Sequence, residues 1–306
     1  MQPKWGIRGM AVAPHSLASQ SALAVLREGG NTLEAMIAAA ATIAVVYPHM
    51  NSIGGDSFWV IHAPGKAMGG IDACGAAAGL ATRSWYQSQG ITGSIPFRGP
   101  IAANTVAGTI SGWGAAYQLS RKSLGGKLPL SRLLEDAIHY AERGVPVTHS
   151  QSALTEKKRA ELTPQPGFAE TFLVNGKAPA TGSVFLQKRL AATLRQIAKK
   201  GTDDYYRGEL AEQIAKELKQ IGSPLRIDDL HRHQAKLIDP LHLAHTVADV
   251  YNMTPPTQGV VSLMILGILD QLKLKQFAVD SPEYVHHCVE ATKQAFKVRD
   301  QYVTDP

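Results

Sequence analysis

Near the start of the chain apolar positions recur at helical spacing and then become continuous. Leu17, Leu23 and Leu26 fall on one stripe; Pro14 and Ser16 before them and Gly29-Gly30 after them predict a helix over residues 14–30. A second helix is predicted at once, because Asn31-Thr-Leu-Glu34 has capping-box spacing and residues 35–46 are apolar all round, up to Pro48. Two extended runs follow, 57–62 and 66–72, separated by Ala63-Pro-Gly65, which is hairpin chemistry. Helical period returns over 130–143, 184–200 and 209–220, each closed by a glycine at 144, 201 or 222. The stretch 245–253 alternates as a strand, and Thr254-Pro-Pro256 then breaks the chain. A helix over 260–274 and a last one from Ser281-Pro282 towards Gln301 complete the pattern. This mixture predicts an α/β (α+β) chain rich in helices, with no clean domain boundary along 306 residues.

Composition is that of a globular protein, with 44% apolar residues. The longest apolar run is about a dozen residues, short of the roughly 20 that cross a bilayer, so no membrane segment is expected. The N-terminal residues lack the apolar core of a secretory signal, which makes a cytoplasmic location the expectation. The net charge of +6 does not imply nucleic acid, because the basic residues stand among acidic ones and no aromatic platform accompanies them. Cys74 and Cys288 are too far apart and too unlike in context to suggest a disulfide framework or a CxxC site.

Familiar catalytic signatures are absent: no GxSxG elbow, phosphate loop, HExxH or GxGxxG. His231, His233, His242 and His245, or His286 with Glu290, do not converge by spacing as metal ligands would and read as scattered surface histidines. The informative element is Asn51-Ser-Ile-Gly-Gly-Asp56, a loop whose paired glycines allow close approach of a ligand or another chain, or simply a tight turn.

The order of motifs resembles the gamma-glutamyltranspeptidases over nearly the whole chain. It runs from Gly9-Met-Ala-Val-Ala-Pro-His15 through Leu26-Arg-Glu-Gly-Gly-Asn31, the alanine-rich helix, Pro48-His49 and Ile53-Gly-Gly55. Thr105-Val-Ala-Gly108, the 133–146 segment, Asp204-Tyr-Tyr-Arg-Gly208, Asp228-Asp-Leu230, Pro255-Pro-Thr-Gln-Gly259 and the closing segment 290–306 follow in the family's order. The resemblance implies the large-chain part of a four-layer αββα N-terminal-nucleophile hydrolase, residues 1–306 forming one portion completed by a separate small chain. It implies a proenzyme that cuts itself before a threonine, whose hydroxyl attacks an amide carbonyl while its own amino group takes the proton. That nucleophile lies beyond the motif ending in Asp305-Pro306, so no catalytic residue is expected in this chain, and Thr304 reads as structural. The family's mechanism calls for neither metal nor organic cofactor.

One departure bears on substrate. The resemblance places an Asp-x-Arg-Glu motif after the second strand, whose arginine grips a substrate carboxylate as a bidentate partner. Here the stretch is Asp72-Ala-Cys-Gly75, with Cys74 and Gly75 in place of Arg and Glu. Cys74 reads either as part of an altered pocket or as a small buried apolar residue. With Asp56 beside the glycine loop and no secretory signal, the chain resembles an intracellular catabolic branch of the family, and that resemblance implies an amidase acting on a small carboxylate amide of the oxamate kind, releasing ammonia in purine-ring breakdown. Gamma-glutamyl transfer or hydrolysis, a cephalosporin-type acylase and a non-catalytic scaffold are the alternatives. Substrate-binding candidates are Asp72, Cys74, Gly75, His49, Arg98 and Asn104, with Arg83 and His15 as further possible cations for a small anionic substrate.

Overall fold

The computed structural model describes residues 5–272 and 274–304. The chain begins with helices α1 (Ser16–Arg27) and α2 (Thr32–Val46), then strands β1 (Ser57–Ile61) and β2 (Gly69–Ala73). A helical stretch follows: α3 (Arg83–Ser88), α4 (Thr109–Ser123), α5 (Leu130–Leu133) and α6 (Glu135–Arg143). After β3 (Val145–Pro146) come α7 (His149–Leu162) and α8 (Phe168–Phe172), then β4 (Val184–Phe185). Helices α9 (Lys188–Lys200), α10 (Asp204–Arg207), α11 (Glu209–Gln220) and α12 (Ile227–Arg232) lead to β5 (Lys236–Ile238), β6 (Leu241–Ala244) and β7 (Asp249–Asn252). Helices α13 (Gly259–Gln271) and α14 (Pro282–Tyr302) end it. The backbone clusters into two compact units, one of residues 1–57 with 73–235 and one of residues 58–72 with 236–306.

The first unit is organised around α2, which packs against α1, α4, α5 and α6. Its capping box forms as predicted: Glu34 N donates to Asn31 Oδ1 at 3.0 Å, and Asn31 N donates to Glu34 Oε2 at 3.0 Å. Glu34 is fully buried, and its other oxygen accepts from Leu128 N at 2.9 Å, so the carboxylate is held by backbone donors rather than by a cation. The predicted leucine stripe on α1 is corrected. Its buried face is Ala18, Ser21, Ala22 and Val25, small side chains that let α1 lie close to the alanine-rich α2. Its cap is His15, whose Nδ1 accepts from Leu17 N at 3.3 Å.

The predicted helix over 184–200 starts only at Lys188. Val184 and Phe185 form β4, antiparallel to β3, because Phe185 is the one of the pair that reaches the interior. Helices α4 and α7 carry no clear helical stripe in the sequence, α4 because glycines and polar residues stand among its buried positions and α7 because it is largely polar.

In the second unit β1, β2 and β5 form a three-stranded sheet in that order, β5 antiparallel to β2 with Asp72 opposite Lys236. The predicted strand over 245–253 is instead the turn and second arm of the β6–β7 hairpin. The turn is tied down by Asp270 of α13, which accepts from Thr246 N at 3.1 Å and from its hydroxyl. Helix α13 packs on this hairpin and on α14. Among the described residues no helix is long and apolar enough to cross a membrane.

Candidate active site

Three short segments cross in the first unit and fix the loop that the sequence singles out. Ala77 bridges Thr105, Ala78 N donates to Asn104 O at 2.8 Å, and Val106 N donates to Ala76 O at 3.0 Å. Two glycines make the crossing possible. A Cβ on Gly75 would lie 1.6 Å from Val106 O, and one on Gly108 would lie 1.9 Å from Ala73 O. Neither position can carry a side chain without moving backbone.

Thr109, at the start of α4 and almost fully buried, then reaches the glycine loop. Its N–H donates to Gly55 O at 2.8 Å, and its hydroxyl lies 2.7 Å from Gly55 O and 3.1 Å from Asp56 O. Beneath it the Tyr206 hydroxyl donates to Ala107 O at 2.7 Å and accepts from Ser111 N at 2.9 Å, and burial pushes this phenol's pKa upward. His233 packs tilted against the same ring, centroids 5.1 Å apart, and is 7% exposed, which corrects its reading as a surface histidine.

The consequence of this scaffold is a placed carboxylate. Asp56 Oδ1 accepts from Gly75 N at 2.9 Å, and Oδ2 is 3.8 Å from Cys74 Sγ. Asp56 also lines an open concavity of about 490 Å³ with His49, Asn51 and Ser52. His49 stands edge-on to Tyr47 at 4.3 Å, and Tyr47 lies 6.4 Å from His15. Burial lowers the pKa of both histidines, and for His49 the neighbouring His15 lowers it further. Neither ring nitrogen of His49 has a hydrogen-bond partner among the described residues.

The structure thus gathers Cys74, Gly75 and His49 around Asp56, whereas the other candidates belong to separate clusters. Arg98 is half exposed, pairs with Glu161 at 2.9 Å and donates to Phe97 O. Asn104 Nδ2 donates to the Tyr86 hydroxyl at 3.0 Å, which in turn donates to Ile101 O. Arg83 is exposed at the first turn of α3, and Asp72 sits on β2 in the second unit. Asp305 and Pro306, which end the closing motif, lie outside the described residues. Sequence reasoning missed Thr109, although it directly follows the Thr105-Val-Ala-Gly108 motif, and it noticed Asp56 only as an added charge. Among the described residues no group of three or more His, Cys, Asp or Glu gathers as metal ligands would.

This architecture is that of the N-terminal-nucleophile amide hydrolases. The structure matches a crystal structure of Helicobacter pylori gamma-glutamyltranspeptidase with a TM-score of 0.91 at 30% identity, covering 99% of this chain and 86% of that one. A sequence model of the family described as Gamma-glutamyltranspeptidase matches residues 18–306, and the chain belongs to that family. It is 55% identical over 97% of its length to an oxamate amidohydrolase proenzyme of Klebsiella pneumoniae, covering 56% of that protein. It is 39% identical over 98% of its length to a glutathione hydrolase-like proenzyme, YwrD, of Bacillus subtilis, again covering 56% of it. The chain therefore spans little more than half the length of these relatives.

Proposed function

We propose that this chain is the large-chain portion of an autoprocessed amide hydrolase that acts on a small carboxylate amide of the oxamate kind. In this reading residues 1–306 form one portion of the enzyme, and the nucleophilic threonine lies on a companion small chain. The observation that carries it is the site around Asp56: where the family resemblance calls for a carboxylate-gripping arginine, Cys74 stands beside a fixed carboxylate. The identity shared with a protein named oxamate amidohydrolase supports the same substrate class. Apolar side chains open to solvent on β1, Phe58 and Val60, and on α14, Val285 and Val289, are the kind of surface a companion chain would cover.

The chemistry follows from the nucleophile. The threonine hydroxyl adds to the amide carbonyl and gives its proton to its own amino group; collapse breaks the C–N bond, and that proton leaves with ammonia. Water then hydrolyses the ester, so that oxamate and water yield oxalate and ammonia, and the threonine is restored. This chain contributes the shape and charge of the pocket through Cys74, Gly75, His49 and Asp56, with Asp72, Arg98 and Asn104 as outlying candidates. We place the enzyme in the cytoplasm, in a nitrogen-releasing catabolic step of purine breakdown.

The test is expression of the full-length protein, followed by its self-cleavage and by three turnover assays: ammonia release from oxamate, aniline release from a gamma-glutamyl anilide and release of the free amine from a cephalosporin-type acyl amide. Cleavage into two chains with preferential turnover of oxamate is the expected result. Preference for the gamma-glutamyl donor would overturn the substrate reading, and an uncleaved, inactive protein would favour the scaffold.

A further inference from the structure

We propose that Asp56 is a specificity-determining residue: its carboxylate, fixed beside Cys74, receives an N–H donor such as a primary amide nitrogen and turns away a second carboxylate. The inference rests on the reading of the chain as a small-amide hydrolase and names which end of the substrate meets this side of the site.

The carboxylate is placed rather than incidental. Its backbone is clamped by Thr109 through Gly55 O and Asp56 O, and Oδ1 is oriented by Gly75 N at 2.9 Å. Because Gly75 cannot carry a side chain, no larger residue at 75 intrudes between them. Oδ2 faces the Cys74 thiol at 3.8 Å, and a thiol is a weak donor. An ionised carboxylate offers about four acceptor positions, so the pair retains capacity for a stronger donor.

The charge of the surroundings points the same way. Asp56 lines the open concavity with His49, Asn51 and Ser52, none of which supplies a permanent cation. Burial holds His49 towards its neutral form, and Arg98 is turned to Glu161. Among the described residues that line this concavity none is a permanent cation, so a ligand carboxylate brought there would meet the like charge of Asp56, whereas an amide N–H or an ammonium would meet an acceptor. Selection by repulsion is a general route to specificity.

Alkylation of Cys74 in the full-length protein reads this directly, followed residue by residue with peptide mass spectrometry. Iodoacetamide carries a primary amide, and iodoacetate carries the carboxylate that the site should reject. A unit charge about 4 Å away, open to water, corresponds to roughly fivefold or more in relative rate. The iodoacetamide-to-iodoacetate ratio at Cys74 should therefore exceed that of a small neutral thiol by about this factor. Asp56→Asn should abolish the excess, while Asp56→Glu, which keeps the charge, should retain most of it; unfolding curves of each variant establish that the fold is intact. An Asp56→Asn ratio equal to wild type would overturn the proposal. A parallel measurement of kcat/KM should show Asp56→Asn raising use of a glutaryl anilide, which carries a carboxylate and no ammonium, relative to oxamate, and an unmoved ratio there would also overturn it. Charge discrimination at Cys74 in a protein that does not turn over oxamate would refute the proposed function while leaving the placement of Asp56 intact.

Discussion

The carbonyl oxygen of Val106 occupies the space that a side chain on Gly75 would need, 1.6 Å from an ideal Cβ. The glutamate that the family pattern puts at this position therefore cannot be introduced without moving this backbone. Overpacking against backbone costs about 1–3 kcal/mol or more, since no rotamer relieves it. Gly75→Ala should lower the stability of the full-length protein by at least that amount, as read from its urea midpoint, whereas Cys74→Ala, at a partly exposed position, should stay within about 1 kcal/mol.

Glu34 makes a second test of the scaffold. The carboxylate is fully buried and accepts from both Asn31 N and Leu128 N, joining the start of α2 to the loop before α5. Glu34→Ala removes the capping box and leaves a donor unsatisfied, for a combined cost of about 2–4 kcal/mol. Glu34→Gln retains an acceptor for one of the two donors and should lose less. Denaturant unfolding of the two variants should rank them in that order, and equal stability to wild type would contradict the role assigned to Glu34.

His49 gives the site a pH dependence with a definite sign. Its pKa in the folded protein lies below the ordinary 6.5, chiefly through burial and secondarily through His15. The unfolded chain then binds more protons than the folded one in the region below 6.5, so stability is full above that pH and falls as pH drops through the folded value. His49→Gln should flatten the part of the acid slope that His49 contributes, leaving that of His15. Thermal transitions measured from pH 7.5 downwards check this, and a slope unchanged by the substitution would refute it.

The elements legible in the sequence were those whose signals are local. The capping box at Asn31 and Glu34, the all-apolar α2, and Ser281-Pro282 at the start of α14 are each set by neighbours a few residues apart. What was missed depends on distant partners: β4 is a strand because Val145 lies opposite Phe185, and the residues after Leu243 turn because Asp270 holds Thr246. The same holds at the site. Cys74 and His49 stand out in the sequence, but the grouping depends on Asp56, whose position is set by Thr109 and Gly75, 53 and 19 residues away.

The last prediction concerns how Cys74 and Asp56 act together on selectivity. An arginine at position 74 would stand next to the Asp56 carboxylate, which already lies 3.8 Å from Sγ, and would form an ion pair with it. Cys74→Arg alone should therefore give little new affinity for a substrate carboxylate, because the guanidinium is already engaged. Removing the competing charge as well, in Cys74→Arg with Asp56→Gly, frees the fork for the ligand. Each charge-assisted hydrogen bond it then makes contributes on the order of 1.5–3 kcal/mol, or about tenfold or more in kcat/KM. A double-mutant cycle on the ratio of kcat/KM for a gamma-glutamyl anilide over oxamate isolates the coupling and cancels losses common to both substrates. The expected pattern is a small rise for each single variant and a rise for the pair that exceeds their product by about tenfold. Strict additivity would show that residue 74 and Asp56 do not share a ligand group, and a full shift from Cys74→Arg alone would show that Asp56 does not compete for it.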